Sequence, residues 1–211
     1  VDGVLLKDNS VNTDTISEKT SGSGVTIDGV LLKDSKIGGT ITIPGSTGTM
    51  ALTSDISAGG LESAQQWRLT ATITTTGVNT ITTNLATSTE EFLGNMGSLV
   101  SESSGIFSFS ETGYYLLTVV HASNFTTNNA YAQIYVAATS DNFTTENRIG
   151  YQQSRGMANT LQTSSNTYIL DVTDTVNQKI RFKTDITSGG QVAGSSGDNI
   201  TSFTFMKLGD T

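Results

Sequence analysis

The chain has 211 residues, enough for one domain of ordinary size with an appendage, and 35% of them are apolar against only 14% charged, the rest being rich in Thr, Ser, Asn and Gly. The lack of cysteine excludes disulfides, thiolate nucleophiles and cysteine metal sites, and a net charge of −8 without any basic run opposes a nucleic-acid partner. No apolar stretch is long enough for a membrane span and the first residues carry no basic and apolar leader, so neither membrane insertion nor a signal peptide is expected.

The first element is a repeat: "VDGVLLKD" at Val1 to Asp8 returns as "IDGVLLKD" at Ile27 to Asp34, 26 residues on, with only the first residue changed. A unit with so few apolar residues among polar filler cannot offset its ordering entropy alone. Repeat arrays within one chain need about three or more copies, so the missing copies are expected from other chains. Three chains in register would close an apolar axis of "VLL" segments, with Asp2, Lys7, Asp28 and Lys33 outside. A duplicated linker is the alternative. Next, "IGGTITIP" alternates Ile37, Ile41 and Ile43 with small residues and reads as a short strand stopped by Pro44. "SDISAGGLESAQQ" offers Ser54 or Asp55 as a cap for a weak helix-like stretch up to Gln66, broken by Gly59 and Gly60. The predicted organisation is a β-rich shaft over 1–56, a neck over 57–66 and a head over 67–211.

In the head, strands separated by turn residues are predicted near Trp67 to Thr74, Thr80 to Thr83, Ile106 to Phe109, Tyr114 to Ala122, Ala130 to Ala138, Arg148 to Gln153, Gln162 to Val172, Lys179 to Ile186 and Ile200 to Leu208. That number suits an all-β sandwich of two sheets. "YYLLTVVHA" is apolar on both faces, with Tyr115, Leu117, Val119 and His121 on one and Tyr114, Leu116 and Val120 on the other. The last strand behaves alike, with Phe203 and Phe205 opposed to Met206 and Leu208. Such a strand is covered on both sides, on one by the opposite sheet, while a neighbouring subunit is one candidate for the other, and Tyr115, Phe203 and Phe205 are expected at a trimer axis.

Two resemblances follow. "GVTIDGVLLKD" and "STGTMALTSDI" at Ser46 to Ile56 resemble the shaft segments of bacteriophage fibre proteins. "GIFSFSETGYYLLTVVHAS" at Gly105 to Ser123, "YILDVTDTVNQKIRFK" and "TSFTFMKLGD" resemble the jelly-roll heads of complement C1q and tumour necrosis factor ligands, which form trimers. The pattern departs from that family at Glu111 and Thr112, where a turn proline is usual, and at Phe205, where a small glycine is frequent. The resemblances imply a jelly-roll head on a short trimeric shaft.

Little in the sequence supports catalysis. His121 is the only histidine and sits in an apolar strand without a G-x-S-x-G elbow, so it reads as structural. Glu90 and Glu91 are adjacent, and adjacent residues on a strand point to opposite faces, so they do not form a glycosidase pair by themselves. Asp171, Asp174 and Asp198 lack the spacing of a calcium loop and read as solvated turn carboxylates. No cofactor or metal is expected. If strands alternate up and down from the shaft, the loops at Thr75 to Asn79, Ser123 to Asn129, Ser154 to Leu161 and Thr187 to Asn199 share the distal end. Within them Phe125, Asn128, Asn129, Arg155, Met157, Gln191 and Asp198 mix a ring, amides and a guanidinium suited to a sugar or polar protein surface. The expected function, with the resemblance, is a non-enzymatic, homotrimeric virion fibre. Its shaft joins other virion proteins and its head binds a host-surface glycan or protein. The alternative is a purely architectural capsid or tail decoration without a specific receptor.

Overall fold

The computed structural model describes residues 63–88 and 94–211. The chain divides between Ile56 and Ser57 into two units, and every described residue belongs to the second. The expected shaft, most of the neck, and Glu90 and Glu91 lie outside the described residues.

All regular structure among the described residues is β: β1 (Ala64–Leu69), β2 (Gly77–Thr80), β3 (Leu85–Thr87), β4 (Val100–Ser103), β5 (Ile106–Phe109), β6 (Gly113–Phe125), β7 (Ala130–Thr139), β8 (Asn147–Gly156), β9 (Thr160–Val172), β10 (Lys179–Ile186), β11 (Gly190–Val192) and β12 (Ser202–Gly209). The strands form two antiparallel sheets. In the first, β9 lines one edge of β6 along its whole length, while β12 and β11 share the other edge, β12 against Tyr114 to Val120 and β11 against Ser123 to Phe125. β1 and β3 continue beyond β12. In the second, β8, β7 and β10 lie side by side, and β5 and β2 share the far edge of β10, with β4 beyond β5.

Alternation explains the sandwich. In β10 every second residue, Ile180, Phe182, Thr184 and Ile186, is buried while Lys179, Arg181, Lys183 and Asp185 are half-buried on the other face, a pattern that fixes register because a slip of one would bury the charges. β6 turns Tyr115, Leu117, Val119 and His121 inward, all fully buried. The hairpin tips are set by residues with left-handed backbone, Asn129 (φ 61°), Asn159 (φ 61°) and Gly189 (φ 85°), as tight turns between twisted strands require.

The core is aromatic. Phe107 meets Trp67 edge-on at 5.2 Å and Phe182 at 5.1 Å, and stacks on Phe205 at 5.7 Å. Phe109 packs on Tyr115 at 4.9 Å, and the Tyr115 hydroxyl donates to the Glu111 carbonyl at 2.8 Å. This corrects the expected trimer axis. Tyr115, Phe203 and Phe205 are wholly buried between the two sheets of one chain, leaving no surface for a second chain. The rings of Tyr115, Phe203 and Phe205 face the opposite sheet because the larger side chains fill the space between the sheets. The helix-like reading does not hold over its last residues. Ala64 to Gln66 already belong to β1, whose backbone pairs with Thr204 to Met206, and Gln65 accepts from the amides of Leu99 and Val100 through Oε1.

Candidate functional site

The loops expected at the distal end do converge. Thr126 N donates to the Gly189 carbonyl at 2.7 Å, Asn129 N to Gly156 at 3.0 Å and Asn159 N to Phe125 at 2.7 Å, which sews together the β6–β7, β8–β9 and β10–β11 turns. Gly77 opposite Ile186 and Ile73 bridged to Val192 bring the loop before β2 to the same end. β1 starts at the other end, where Ala64 faces Met206.

Four of the seven candidate residues come together there. Asn128 and Asn129 are exposed, and Asn128 Oδ1 accepts from Ala158 N at 3.0 Å. Met157 is 67% exposed on the adjoining tip. Arg155, exposed, lies 5.9 Å from the centre of the Tyr131 ring, on the outer face of the second sheet. Phe125 needs correction: it is 2% exposed, and a Cβ on Gly156 would lie 2.1 Å from its ring. That ring is packing and cannot stack on a sugar. Gln191 is half-buried in β11 opposite Asn124. Asp198 is exposed, but its loop is anchored to β1 through Ser195 N and the Leu69 carbonyl, and its carboxylate accepts from Ser195 Oγ at 3.1 Å.

His121 lies in the interior with Nε2 2.7 Å from Ser123 Oγ and Nδ1 3.4 Å from Ser164 Oγ. Burial lowers its pKa from 6.5 to about 4, so it is neutral at physiological pH. Ser123 is itself fully buried, and the pair meets no substrate-accessible surface. Asp174 accepts from the amides of Val176 and Asn177 and from Asn177 Nδ2, capping its own turn. Among the described residues no cluster of three or more His, Asp or Glu is placed to hold a metal ion, and no helix is long and apolar enough to cross a membrane.

A different surface was missed in the sequence. On the outer face of the second sheet, cross-strand partners form rows: Lys183, Tyr135 and Tyr151, then Arg181, Ala137 and Arg148. The Arg148 guanidinium lies 5.7 Å from the Tyr135 ring centre and 5.2 Å from that of Tyr151, and Lys183 Nζ is 5.7 Å from Tyr135. Arg181 covers the Phe143 ring at 4.3 Å, and Glu146 pairs with both Arg181 and Lys183. The signal was available in the period-two spacing of Lys179, Arg181 and Lys183 and of Tyr131 and Tyr135.

No protein-family model matches the chain, and no curated protein matches its sequence. Solved structures do match its fold. Murine APRIL at pH 5.0 superposes with a TM-score of 0.50 at 14% identity, over 69% of this chain and 98% of that one. The same protein at pH 8.0 gives 0.50 at 12% identity with equal coverage. Eiger TNF from S. frugiperda gives 0.49 at 10% identity, over 70% and 93%. The fold is a jelly roll similar to those of tumour necrosis factor ligands.

Proposed function

We propose that the chain is a homotrimeric fibre protein of a virus particle, with the sandwich as its host-binding head. The observation that carries this reading is the outer face of the first sheet. Ile169, Leu116, Met206 and Ala64 stand in one cross-strand line, extended by Met96 through its bridge to Ala64. Ile169 is 70% exposed. In the next line, Thr167, Thr118, Thr204 and Gln66, polar groups satisfy one another: the Thr118 and Thr167 hydroxyls are 3.2 Å apart and Gln66 Nε2 donates to Thr204 Oγ1 at 2.9 Å. Neither line carries a charge. These two lines can be covered by another subunit without stranding polar groups.

Closed threefold symmetry covers it in three identical copies. This agrees with a repeat that needs partners from other chains and with the trimers of the heads the sequence resembles. The chain enters the sandwich at Ala64, and the sewn hairpin tips at the other end are left free for a host-surface receptor. Placement on the virion, and attachment to other virion proteins through the shaft, rest on the fibre-like phrases of residues 1–56.

The test is binding of the labelled full chain to the cells that propagate the particle. Saturable binding, with unlabelled protein protecting those cells from infection, is expected. A trimer that neither binds nor competes would instead be an architectural decoration.

A further inference from the structure

Five of the seven Lys and Arg among the described residues, Arg148, Arg155, Lys179, Arg181 and Lys183, lie on the outer face of the second sheet, in a chain of net charge −8. The carboxylates on that face are Glu146 and Asp185, with Asp141 in the adjoining loop, where it accepts from Thr139 and Thr145. Glu146 occupies Arg181 and Lys183, and Asp185 accepts from the Tyr131 hydroxyl at 3.1 Å. Arg148 and Arg155 are instead held by aromatic faces. A ring holds a guanidinium by its plane, and the N–H donors at the rim remain suited to a carboxylate. Tyr135 is buried beneath Arg148 and Lys183, while Tyr151 is 51% exposed beside Arg148. The part of its ring that Arg148 leaves exposed suits contact with the ring of a sugar.

A second observation points to the same face. Asn142 (φ 54°) and Phe143 (φ 62°) are consecutive left-handed residues, and a bulky aromatic in that region is uncommon. The Asp141 carboxylate holds the loop, accepting from Thr139 Oγ1 at 2.7 Å, Thr145 N at 2.9 Å and Thr145 Oγ1 at 2.7 Å, while Phe143 N donates to Thr139 Oγ1 at 2.9 Å. The strained backbone delivers the Phe143 ring to Arg181. Strain held in this way is a mark of functional surfaces.

We propose that this face binds an acidic polysaccharide, with a sugar ring stacked on Tyr151 and carboxylates paired with Arg148 and Arg155. The two arginines stand on one strand roughly 20 Å apart at the usual rise per residue, a span that calls for an extended ligand. The overall negative charge disfavours a densely charged polyanion, and sugars with spaced carboxylates fit a face where rings and cations alternate. The inference deepens the receptor-binding reading and rests on it. A trimer closed through the first sheet leaves three such faces outward, able to act together on one chain.

Binding of the full chain to carboxymethyl dextran and to unmodified dextran tests the proposal. Carboxymethyl dextran should bind, more weakly as salt rises, and dextran should not. Arg148→Gln and Tyr151→Ala should each weaken binding about tenfold or more, with particle mass unchanged. Glu146→Gln, which releases two cations, should strengthen it. Equal binding of both dextrans, no effect of Tyr151→Ala, or no gain from Glu146→Gln overturns the proposal. On cells, wild-type binding that Arg148→Gln and Arg155→Gln leave intact overturns it while the receptor reading stands; failure of the wild type to bind removes that reading itself.

Discussion

Phe182 of β10 and Phe203 of β12 stack face to face across the interior, centroids 3.8 Å apart and planes 20° from parallel. Each sheet supplies one ring, so the contact holds the two layers together.

Truncating either ring should therefore act on folding and not on assembly. Phe203→Ala is expected to lower stability by about 3–5 kcal/mol, measured by denaturant titration at fixed protein concentration. The pair with Phe182→Ala should cost less than the sum of the singles, because the two share one contact. Phe203→Asp should give an unfolded chain, since it buries an unpaired charge. A folded monomer from Phe203→Asp would restore Phe203 to a subunit interface.

His121 makes stability pH-dependent in a defined window. Its folded pKa is about 4, lowered by burial from an ordinary value of 6.5, so the unfolded chain takes up the proton first. The stability owed to the neutral ring is complete above pH 6.5 and lost as pH falls toward 4. The loss is about 3 kcal/mol per chain at most, from the pKa difference. His121→Gln should flatten the melting temperature between pH 7 and 4.5. An equally steep decline in that variant would assign the effect to other groups.

Gly156 and Phe125 are matched in shape. A Cβ at 156 would approach Phe125 Cδ2 to 2.1 Å, and the ring is fixed in the core. Gly156→Ala should lower the melting temperature, overpacking of this kind costing about 1–3 kcal/mol. Phe125→Leu in the same chain should recover part of the loss. Wild-type stability in Gly156→Ala would show that the hairpin tips yield without strain.

The strands that alternate over many residues were legible in sequence: β6, β7, β9 and β10 are found where the period-two pattern of Tyr114 to Ala122, Ala130 to Ala138, Gln162 to Val172 and Lys179 to Ile186 put them. β3, β4 and β11 have three or four residues each, too few for alternation to register. They exist because β1, β5 and β6 offer edges to pair with. That these loops share one end of the sandwich was legible from strand direction. The role of Phe125 was not, because an aromatic before a turn reads alike whether it points outward or inward. The face built by Arg148, Tyr135, Tyr151 and Lys183 was scattered over three strands, and only their register joins it.

The outer line of Leu116, Met206 and Ile169 is tested most directly by light scattering of the full chain after gel filtration at micromolar concentration, for the wild type and Leu116→Glu. The expected result is a wild-type particle of three times the 22.2 kDa chain mass and a Leu116→Glu particle of one chain mass that keeps its β-sheet circular dichroism. A wild-type particle of one chain mass, or a Leu116→Glu particle that remains trimeric, would contradict assembly through this face.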